Sequence, residues 1–252
     1  MIYVMSDIHG RNDLFEKMLE QIHFDVNKDF LYILGDAIDR GGDLTAFFNI
    51  KEMVNHGCCE LIMGNHEADL LSFLNLYNYK SVKDFLTKHN QSTFFSAVTK
   101  NINGSFNKIF FTIANLKTNI ELAEQTNALI RNTNYMFNNN MGTTATSLSR
   151  ISDKEITDIR FFLQSLPLRK EITLSNHQYV LVHGGYLPSD PDNRSYTLLA
   201  RDEFYKKPVN INNTTVIFGH TTTRNIRAER YNEILIPYTI WHDESGDKIG
   251  ID

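Results

Sequence analysis

Residues 2–10 read Ile-Tyr-Val-Met-Ser-Asp-Ile-His-Gly, so a short apolar run passes directly into a cluster of polar residues and glycine. An apolar run that contains β-branched residues is typical of a strand buried on both faces. The residues after such a strand lie at its carboxyl end, which is where ligands bind in α/β sheets. This stretch therefore predicts a buried strand that delivers Asp7 and His9 to a ligand-binding edge.

Other apolar runs repeat this pattern along the chain. They span residues 30–34, 61–63, 179–182 and 216–218. Each run ends in polar residues and glycine, and the intervening segments 12–22 and 44–54 have apolar residues at helical spacing. This alternation of strands and helices predicts an α/β fold. Further on, Ser152 and Glu155 resemble a capping box before a helix over residues 156–166, which Pro167 would end.

The middle of the chain differs from the rest in composition. Residues 70–140 are rich in Phe and Asn, with helical spacing at residues 82–86 and 120–130. Aromatic residues at such spacing are more typical of a small helical core than of a ligand site. We therefore predict a small helical subdomain within residues 70–140. The family resemblance described below implies a single domain over residues 1–252 in which residues 70–140 are a helical insertion or cap that would narrow access to a site.

Composition limits the kinds of partner that the chain can have. The 252 residues are 42% hydrophobic, which is enough for a globular core, and carry a formal net charge of −5. A mildly acidic chain has no general attraction for nucleic acid polymers or anionic membranes. We find neither a signal peptide nor an apolar stretch near the roughly 18 residues of a membrane span. Cys58 and Cys59 are adjacent, which would strain a mutual disulfide, so we expect reduced thiols and a cytoplasmic protein.

Side chains that can bind a metal follow every one of the apolar runs. They are Asp7, His9, Asp36, Asn65, His66, His183 and His220. Any one of them has a structural explanation, but the same arrangement at so many strand ends does not arise readily by chance. Carboxylate and amide oxygens bind hard cations, imidazole binds transition metals, and one carboxylate can bridge two ions. The set therefore predicts two divalent cations. The remaining histidines are interpreted as structural or exposed residues: His23, His56, His89, His177 and His242.

The motifs around these residues carry a family resemblance. The family pattern is Gly-Asp-x-His-Gly, Gly-Asp-x-x-Asp-Arg-Gly, Gly-Asn-His-Glu, His-Gly-Gly and Gly-His. This chain has it in order at residues 6–10, 35–41, 64–67, 183–185 and 219–220. Only the first glycine differs, since Ser6 replaces it, and we expect little effect from that change. The sequence thus resembles the calcineurin-like metallophosphoesterase superfamily, and more narrowly the bacterial members of the PPP serine/threonine phosphatase group. The resemblance implies an α/β fold in which two β-sheets form a sandwich flanked by helices.

The resemblance also implies which residues bind each metal ion. The first ion would be bound by Asp7, His9 and Asp36. The second would be bound by Asn65, His183, His220 and a bridging Asp36. Manganese is the metal that the family resemblance implies, and the same ligand types also bind iron or zinc.

Residues beyond the metal ligands gain a role from the resemblance too. His66 would be the general acid that protonates the leaving oxygen, with Asp39 orienting its ring. Arg40 would hold the phosphate through paired hydrogen bonds. Residues 198–204 resemble a stretch with a second phosphate-binding arginine, which would be Arg201, although Ala200 replaces the usual aromatic residue. Residues 140–147 resemble a glycine-threonine segment to which we assign no role.

The expected function is hydrolysis of a phosphoester by a water held between two metals, which attacks phosphorus in line. The intact pair of Asp39 and Arg40 favours a serine/threonine protein phosphatase that acts on phosphorylated proteins. The alternative is symmetrical hydrolysis of diadenosine tetraphosphate, a nucleotide substrate whose enzymes share most motifs but often lack the carboxylate at the position of Asp39. A non-catalytic binding scaffold is a third hypothesis. It predicts a damaged ligand set, whereas all the ligands and His66 are intact.

Overall fold

The computed structural model describes residues 1–77, 142–148, 150–231 and 239–252. The strands are β1 (Ile2–Met5), β2 (Phe30–Ile33), β3 (Cys59–Leu61), β4 (Arg169–Leu174), β5 (His177–Val182), β6 (Thr214–Phe218), β7 (Trp241–His242) and β8 (Lys248–Gly250). The helices are α1 (Asn12–Gln21), α2 (Thr45–His56), α3 (Asn65–Tyr77), α4 (Gly142–Leu148), α5 (Asp153–Ser165), α6 (Arg194–Leu199), α7 (Asp202–Tyr205) and α8 (Thr223–Tyr231). The chain divides into two compact units. The first comprises residues 1–37, 45–67 and 165–252, and the second comprises residues 38–44 and 68–164.

Both β-sheets belong to the first unit. One sheet has the order β1-β2-β3 with parallel strands, in the register Ile2 opposite Phe30 and Leu31 opposite Cys59. The other has the order β4-β5-β6-β8-β7, in which β5, β6 and β8 are parallel and the two edge strands are antiparallel to their neighbours. This mixed α/β arrangement of two sheets with flanking helices confirms the predicted fold class.

One hydrophobic core lies between the two sheets. Tyr32 of β2 and Leu34, which directly follows β2, pack with Leu181 of β5. Ile217 of β6 packs against the same cluster. Successive side chains of a strand point to opposite faces, so only alternate residues of β5 and β6 can reach this core. The sheets are therefore held together by the apolar residues that the sequence pattern identified.

A second core covers the other face of the larger sheet. Val180 and Val182 of β5 and Phe218 of β6 are buried there against α7, α8 and β7. The ring of Phe218 meets those of Phe204 and Trp241 edge-on, at centroid distances of 5.1 and 6.1 Å. Strands β5 and β6 are thus buried on both faces, which explains why their sequences are continuous apolar runs rather than alternating ones.

The capping-box prediction for α5 is confirmed. The backbone N–H of Ser152 donates to Glu155 Oε2 at 2.8 Å, and the N–H of Glu155 donates to Ser152 Oγ at 3.3 Å. Each side chain thereby satisfies an N–H that the first turn of a helix leaves without a partner. The helix ends at Ser165, just before Pro167.

The predicted bounds of the third strand were wrong. Strand β3 covers Cys59–Leu61 rather than residues 61–63. It begins early because the carbonyl of Cys58 already accepts from Leu31 N. Past Leu61, Ile62 N still donates to Ile33 O at 2.8 Å, while Met63 N donates to Pro167 O at 2.9 Å. Cys58 and Cys59 are buried, free thiols, as expected.

Some predictions fall where the structure describes little. The predicted insertion at residues 70–140 lies outside the described residues except for residues 70–77, which belong to α3. The helical segments 82–86 and 120–130 lie outside them entirely. Among the helices that are described, none is long and apolar enough to cross a membrane.

Candidate metal centre

The loops after the parallel strands come together in the first unit. Asp7 follows β1, Asp36 follows β2, Asn65 follows β3, His183 follows β5 and His220 follows β6. Hydrogen bonds join these loops, since His9 N donates to the backbone oxygen of Asp36 at 2.8 Å and His220 N donates to the side-chain oxygen Asp7 Oδ2 at 2.9 Å. Parallel strands end at the same edge, so strands that are far apart in sequence deliver their ligand residues to one place.

The group predicted to bind the second metal converges on His183. Its Nε2 lies 3.0 Å from Asn65 Oδ1, 3.1 Å from His220 Nδ1 and 3.4 Å from Asp36 Oδ1. Its Nδ1 lies 2.6 Å from the carbonyl oxygen of Leu34, which can only accept a hydrogen bond, so the neutral ring carries its hydrogen on Nδ1. Nε2 then presents a lone pair to the oxygens of Asn65 and Asp36. Electron-rich atoms that face one another in this way are the arrangement that a cation stabilises.

The other oxygen of Asp36 faces a different group. Asp36 Oδ2 lies 3.8 Å from His9 Nε2 and 3.7 Å from His66 Nε2, and His9 Nε2 lies 3.8 Å from Asp7 Oδ1. Ligand atoms of His9, Asp36 and His66 lie within 4.8 Å of one another, as do those of Asp36, His183 and His220. Asp36 therefore turns one oxygen to each group, which fits a bridging carboxylate between two ions. His66 adjoins the first group, and its role as a general acid stays a prediction.

Buried negative charge makes the same region favourable for cations. Burial raises the pKa of Asp36 well above its ordinary value, and the negative charges of Asp7 and Glu67 raise it further. Burial likewise raises the pKa of Glu67. Because uncompensated carboxylates are costly in a protein interior, divalent cations among them would offset that cost. The residues present fit the metals that the family resemblance implies.

Glu67 is a functional residue to which the sequence reasoning gave no role. Its carboxylate is fully buried, and Oε2 accepts from the backbone N–H groups of Asp36 at 2.8 Å and Gly64 at 3.0 Å. Oε1 accepts from Ala37 N at 2.9 Å. One side chain in the first turn of α3 thus ties the loop that carries Asp36 to the loop that carries Asn65. Two signals in the sequence pointed to it: Glu67 is the last residue of the Gly-Asn-His-Glu motif, and it is an acidic residue at the start of a helix, which is common for other reasons.

We predict that Glu67→Gln lowers the affinity for the metals by about 10- to 100-fold, the effect of losing a group that orients metal ligands. The amide keeps one acceptor oxygen but directs an NH2 group at a backbone N–H, so one of the loops must shift. Calorimetric titration with Mn²⁺ would measure the change. Glu60→Gln is the matched control, because Glu60 pairs with Lys170 at the surface at 2.8 Å and should leave the affinity unaltered. Equal affinities for the two variants would contradict this role.

The backbone of the ligand residues takes an unusual conformation. Asp7, His9, Asp36 and His220 have φ values of 52°, 48°, 54° and 63°. A residue other than glycine in this left-handed region costs roughly 1–3 kcal/mol and persists only where its surroundings hold it. These positions are not identifiable from the sequence, although Asp and His are among the residues that enter the region more often than most.

Two glycines of the motifs allow the ligand loops to approach closely. A Cβ atom on Gly64 would overlap Asp36 Oδ1, and one on Gly219 would overlap Ser6 Oγ and Asp7 Oδ2. Ser6, which replaces the first glycine of the family pattern, donates its hydroxyl hydrogen to Asp7 Oδ2. The replaced position is therefore in direct contact with a ligand residue.

The remaining predicted residues lie in two places. In the first unit, the Arg201 guanidinium donates to the carbonyl oxygen of His220 at 3.0 Å and to Thr221 Oγ1 at 3.3 Å, which anchors it to a ligand loop. Its phosphate-binding role stays a prediction. Asp39 and Arg40 belong to the second unit, where Asp39 is buried and accepts a hydrogen bond from Thr144 Oγ1.

The histidines outside the motifs do not join either ligand group within the described residues. His177 bonds Asn213 and Thr215, at 3.1 and 2.9 Å. His23, His56 and His242 are exposed, and His89 lies outside the described residues.

Known proteins resemble this chain over parts of its sequence. Curated relatives include symmetrical bis(5'-nucleosyl)-tetraphosphatases from two bacteria. The one from Delftia acidovorans is 31% identical over 87 residues, which are 34% of this chain and 31% of the relative. The one from an Acidovorax species is 36% identical over 72 residues, which are 28% of this chain and 25% of the relative. The matched segments thus span less than a third of these relatives. Among solved structures, a protein serine/threonine phosphatase from Saccharomyces cerevisiae aligns with a TM-score of 0.40 and 14% identity, covering 100% of this chain and 70% of the other. The family model for calcineurin-like phosphoesterases matches residues 1–248, and the chain therefore belongs to that family.

Proposed function

We propose that the protein hydrolyses phosphoesters at the centre around Asp36, and that its substrates are proteins phosphorylated on serine or threonine. The observation that carries the hydrolase proposal is the position of the Asp36 carboxylate. Its Oδ1 lies 3.4 Å from His183 Nε2 and its Oδ2 lies 3.8 Å from His9 Nε2, so it faces one ligand group on each side. Centres with two metal ions are well suited to phosphoryl transfer.

Each candidate site residue has a separate role in the proposed reaction. Two divalent cations, when bound, supply Lewis acidity and an activated water. Asp7 and His9 would hold one ion and Asn65, His183 and His220 the other, with Asp36 shared. A bond forms between the water oxygen and phosphorus while the bond from phosphorus to the ester oxygen breaks. His66 gives a proton to that departing oxygen, and Arg40 and Arg201 hold the phosphate oxygens.

The chemistry of the leaving group favours a phosphoprotein substrate. The alkoxide of serine or threonine departs poorly unless it is protonated, whereas symmetrical cleavage of diadenosine tetraphosphate releases ADP, which departs readily as a phosphate anion. A carboxylate that supports the general acid therefore matters more for a phosphoprotein than for a dinucleotide. Asp39 supplies that carboxylate, and it is buried and hydrogen-bonded in the structure.

Symmetrical hydrolysis of diadenosine tetraphosphate is the second candidate. It is favoured by the curated relatives from Delftia acidovorans and the Acidovorax species, both of which are named for that activity. Both candidates use the same metal centre, so the substrate separates them and the ligand residues do not.

A substrate panel with purified, manganese-loaded protein tests the proposal. We expect kcat/KM for phosphoserine and phosphothreonine peptides to exceed that for diadenosine tetraphosphate by at least about tenfold, a difference of roughly 1.4 kcal/mol in transition-state stabilisation. The reverse order would assign the protein to the dinucleotide hydrolases. No turnover of any substrate, with fewer than two equivalents of bound metal, would support a binding scaffold instead. Parallel loading with iron and zinc tests the choice of metal.

A further inference from the structure

A hydrogen bond within the second unit links a motif residue to a segment without an assigned role. The hydroxyl of Thr144, in α4, donates to Asp39 Oδ1. The two residues are 105 positions apart, and both are almost completely buried, with exposed fractions of 2% for Thr144 and 1% for Asp39. This bond gives the glycine-threonine segment a direct contact with a residue of the family motifs.

The turn that carries Asp39 needs support from its surroundings. Asp39 and Arg40 are consecutive residues in the left-handed region, with φ values of 71° and 60°, and Gly41 N donates to Asp39 O at 2.7 Å. Such a backbone is held only where side chains around it are fixed. A buried carboxylate also requires hydrogen-bond donors, and a hydroxyl that donates to an ionised oxygen forms one of the stronger hydrogen bonds in proteins.

The helix fixes Thr144 in a position from which it can donate. Leu148 lies four residues later, on the same face of α4, and is completely buried. Thr143, the preceding residue, is exposed. The side of α4 that carries Thr144 and Leu148 is therefore its buried side, and the hydroxyl of Thr144 points inward.

We propose that Thr144 is a positioning residue, which fixes the Asp39 carboxylate so that the general acid is correctly oriented for poor leaving groups. The inference rests on the proposed function, in which Asp39 orients His66. It adds to that function a residue of the glycine-threonine segment, to which the resemblance gave no role.

The kinetic test compares Thr144→Val, which removes only the hydroxyl, with Thr144→Ser, which retains it. Thr143→Val is the matched control, since it makes the same change at the exposed neighbour. For a phosphoserine peptide we expect kcat to fall by about tenfold in Thr144→Val, a part of the roughly 100- to 10,000-fold that a general acid contributes. For 4-nitrophenyl phosphate, whose leaving group needs little protonation, the fall should stay under about twofold. KM and metal content should not change, and Thr144→Ser should restore most of the activity.

A cycle with Asp39→Asn tests whether Thr144 acts through Asp39. In that background Thr144→Val should lower kcat by less than about twofold, because residues that act on each other are not additive. The same four proteins should be compared by thermal unfolding. The change in Tm of the double variant should differ from the sum of the two single changes by about 2–4 °C.

Three outcomes would each overturn the proposal. They are additive effects of the two substitutions in both cycles, an equal loss of kcat in Thr144→Val and Thr143→Val, and a rise in KM of Thr144→Val with unchanged kcat. Failure of the wild-type protein to hydrolyse either phosphoester would instead overturn the proposed function. The catalytic part of this inference would fall with it, while the unfolding cycle would still decide whether Thr144 holds Asp39.

Discussion

Replacing Asp36 by asparagine is expected to abolish binding of both metal ions. The Asp36 carboxylate turns Oδ1 towards His183 and Oδ2 towards His9, so it belongs to both ligand groups. An amide retains one oxygen and places an NH2 group, which cannot bind a cation, on the other side. Loss of the metals should lower kcat by about 1,000-fold or more, the rate equivalent of several kcal/mol. Elemental analysis and turnover of a phosphopeptide measure the two effects.

The same substitution should not destabilise the metal-free protein. Burial and the charges of Asp7 and Glu67 raise the pKa of Asp36, which means that its ionised form is unfavourable in the folded state. A carboxyl whose pKa is higher in the folded than in the unfolded chain lowers stability as the pH rises from about 4 through the folded pKa. Metal-free wild type should therefore lose stability over that range, and the loss should be smaller in Asp36→Asn.

Adding Mn²⁺ then separates the two proteins. At about 100 times its dissociation constant the metal should stabilise the wild type by roughly 2.7 kcal/mol per site and leave Asp36→Asn unchanged. Asp13→Asn serves as the control, because Asp13 is exposed and pairs with Arg11 at the surface. An Asp36→Asn protein that retained two equivalents of metal would rule out the bridging role.

The parts of the fold that the sequence predicted share one physical property. Strand β1 has the bounds that the sequence predicted. Strands β5 and β6 end where predicted but begin two residues earlier than predicted. All three contain a short apolar run. In β5 and β6 the residues of that run pack into a core on each face, so burial selects apolar residues at successive positions. Strand β1 has such a run too but is only half-buried, with Ile2 40% exposed, so the expected burial on both faces was wrong for it. The ligand residues were identifiable for a related reason, since each follows directly where such a run ends.

The elements that the sequence did not predict lack that property. Strand β4 is an edge strand with the sequence Arg-Lys-Glu-Ile-Thr-Leu, half of it exposed. Strand β8 contains Lys248, which is 1% exposed because its ammonium group donates to Asp247 Oδ1 at 2.9 Å and to Lys207 O at 2.8 Å. A buried lysine with such partners cannot be distinguished from a surface lysine in the sequence alone.

The support around the candidate site also depends on long-range contacts. The hydrogen bonds from Asp36 and Ala37 to Glu67 and the bond from Thr144 to Asp39 join segments that are distant in sequence. Periodicity and motif spacing report which residues lie near a strand end. They carry no information about which buried side chain will hold a neighbouring loop, because that depends on the folded geometry.

Replacing His66 by asparagine should lower kcat on a phosphoserine peptide by about 100- to 10,000-fold, the usual contribution of a general acid. His66 is buried, and its Nε2 lies 3.7 Å from Asp36 Oδ2, so the ring is at the metal centre. Asparagine retains polarity and the start of α3 but cannot transfer a proton near neutral pH. Hydrolysis of 4-nitrophenyl phosphate should fall by no more than about tenfold, because that leaving group departs without an acid.

Metal content decides between the two roles that the geometry allows His66. A general acid is dispensable for binding, so His66→Asn should retain two equivalents of manganese, as should the control His56→Asn at an exposed site outside the motifs. If His66→Asn instead lost one equivalent of manganese, and the hydrolysis of both substrates slowed by the same factor, His66 would be a ligand of the first ion. The close grouping of His9, Asp36 and His66 would then describe its coordination shell, and the proton for the leaving group would have to come from another residue.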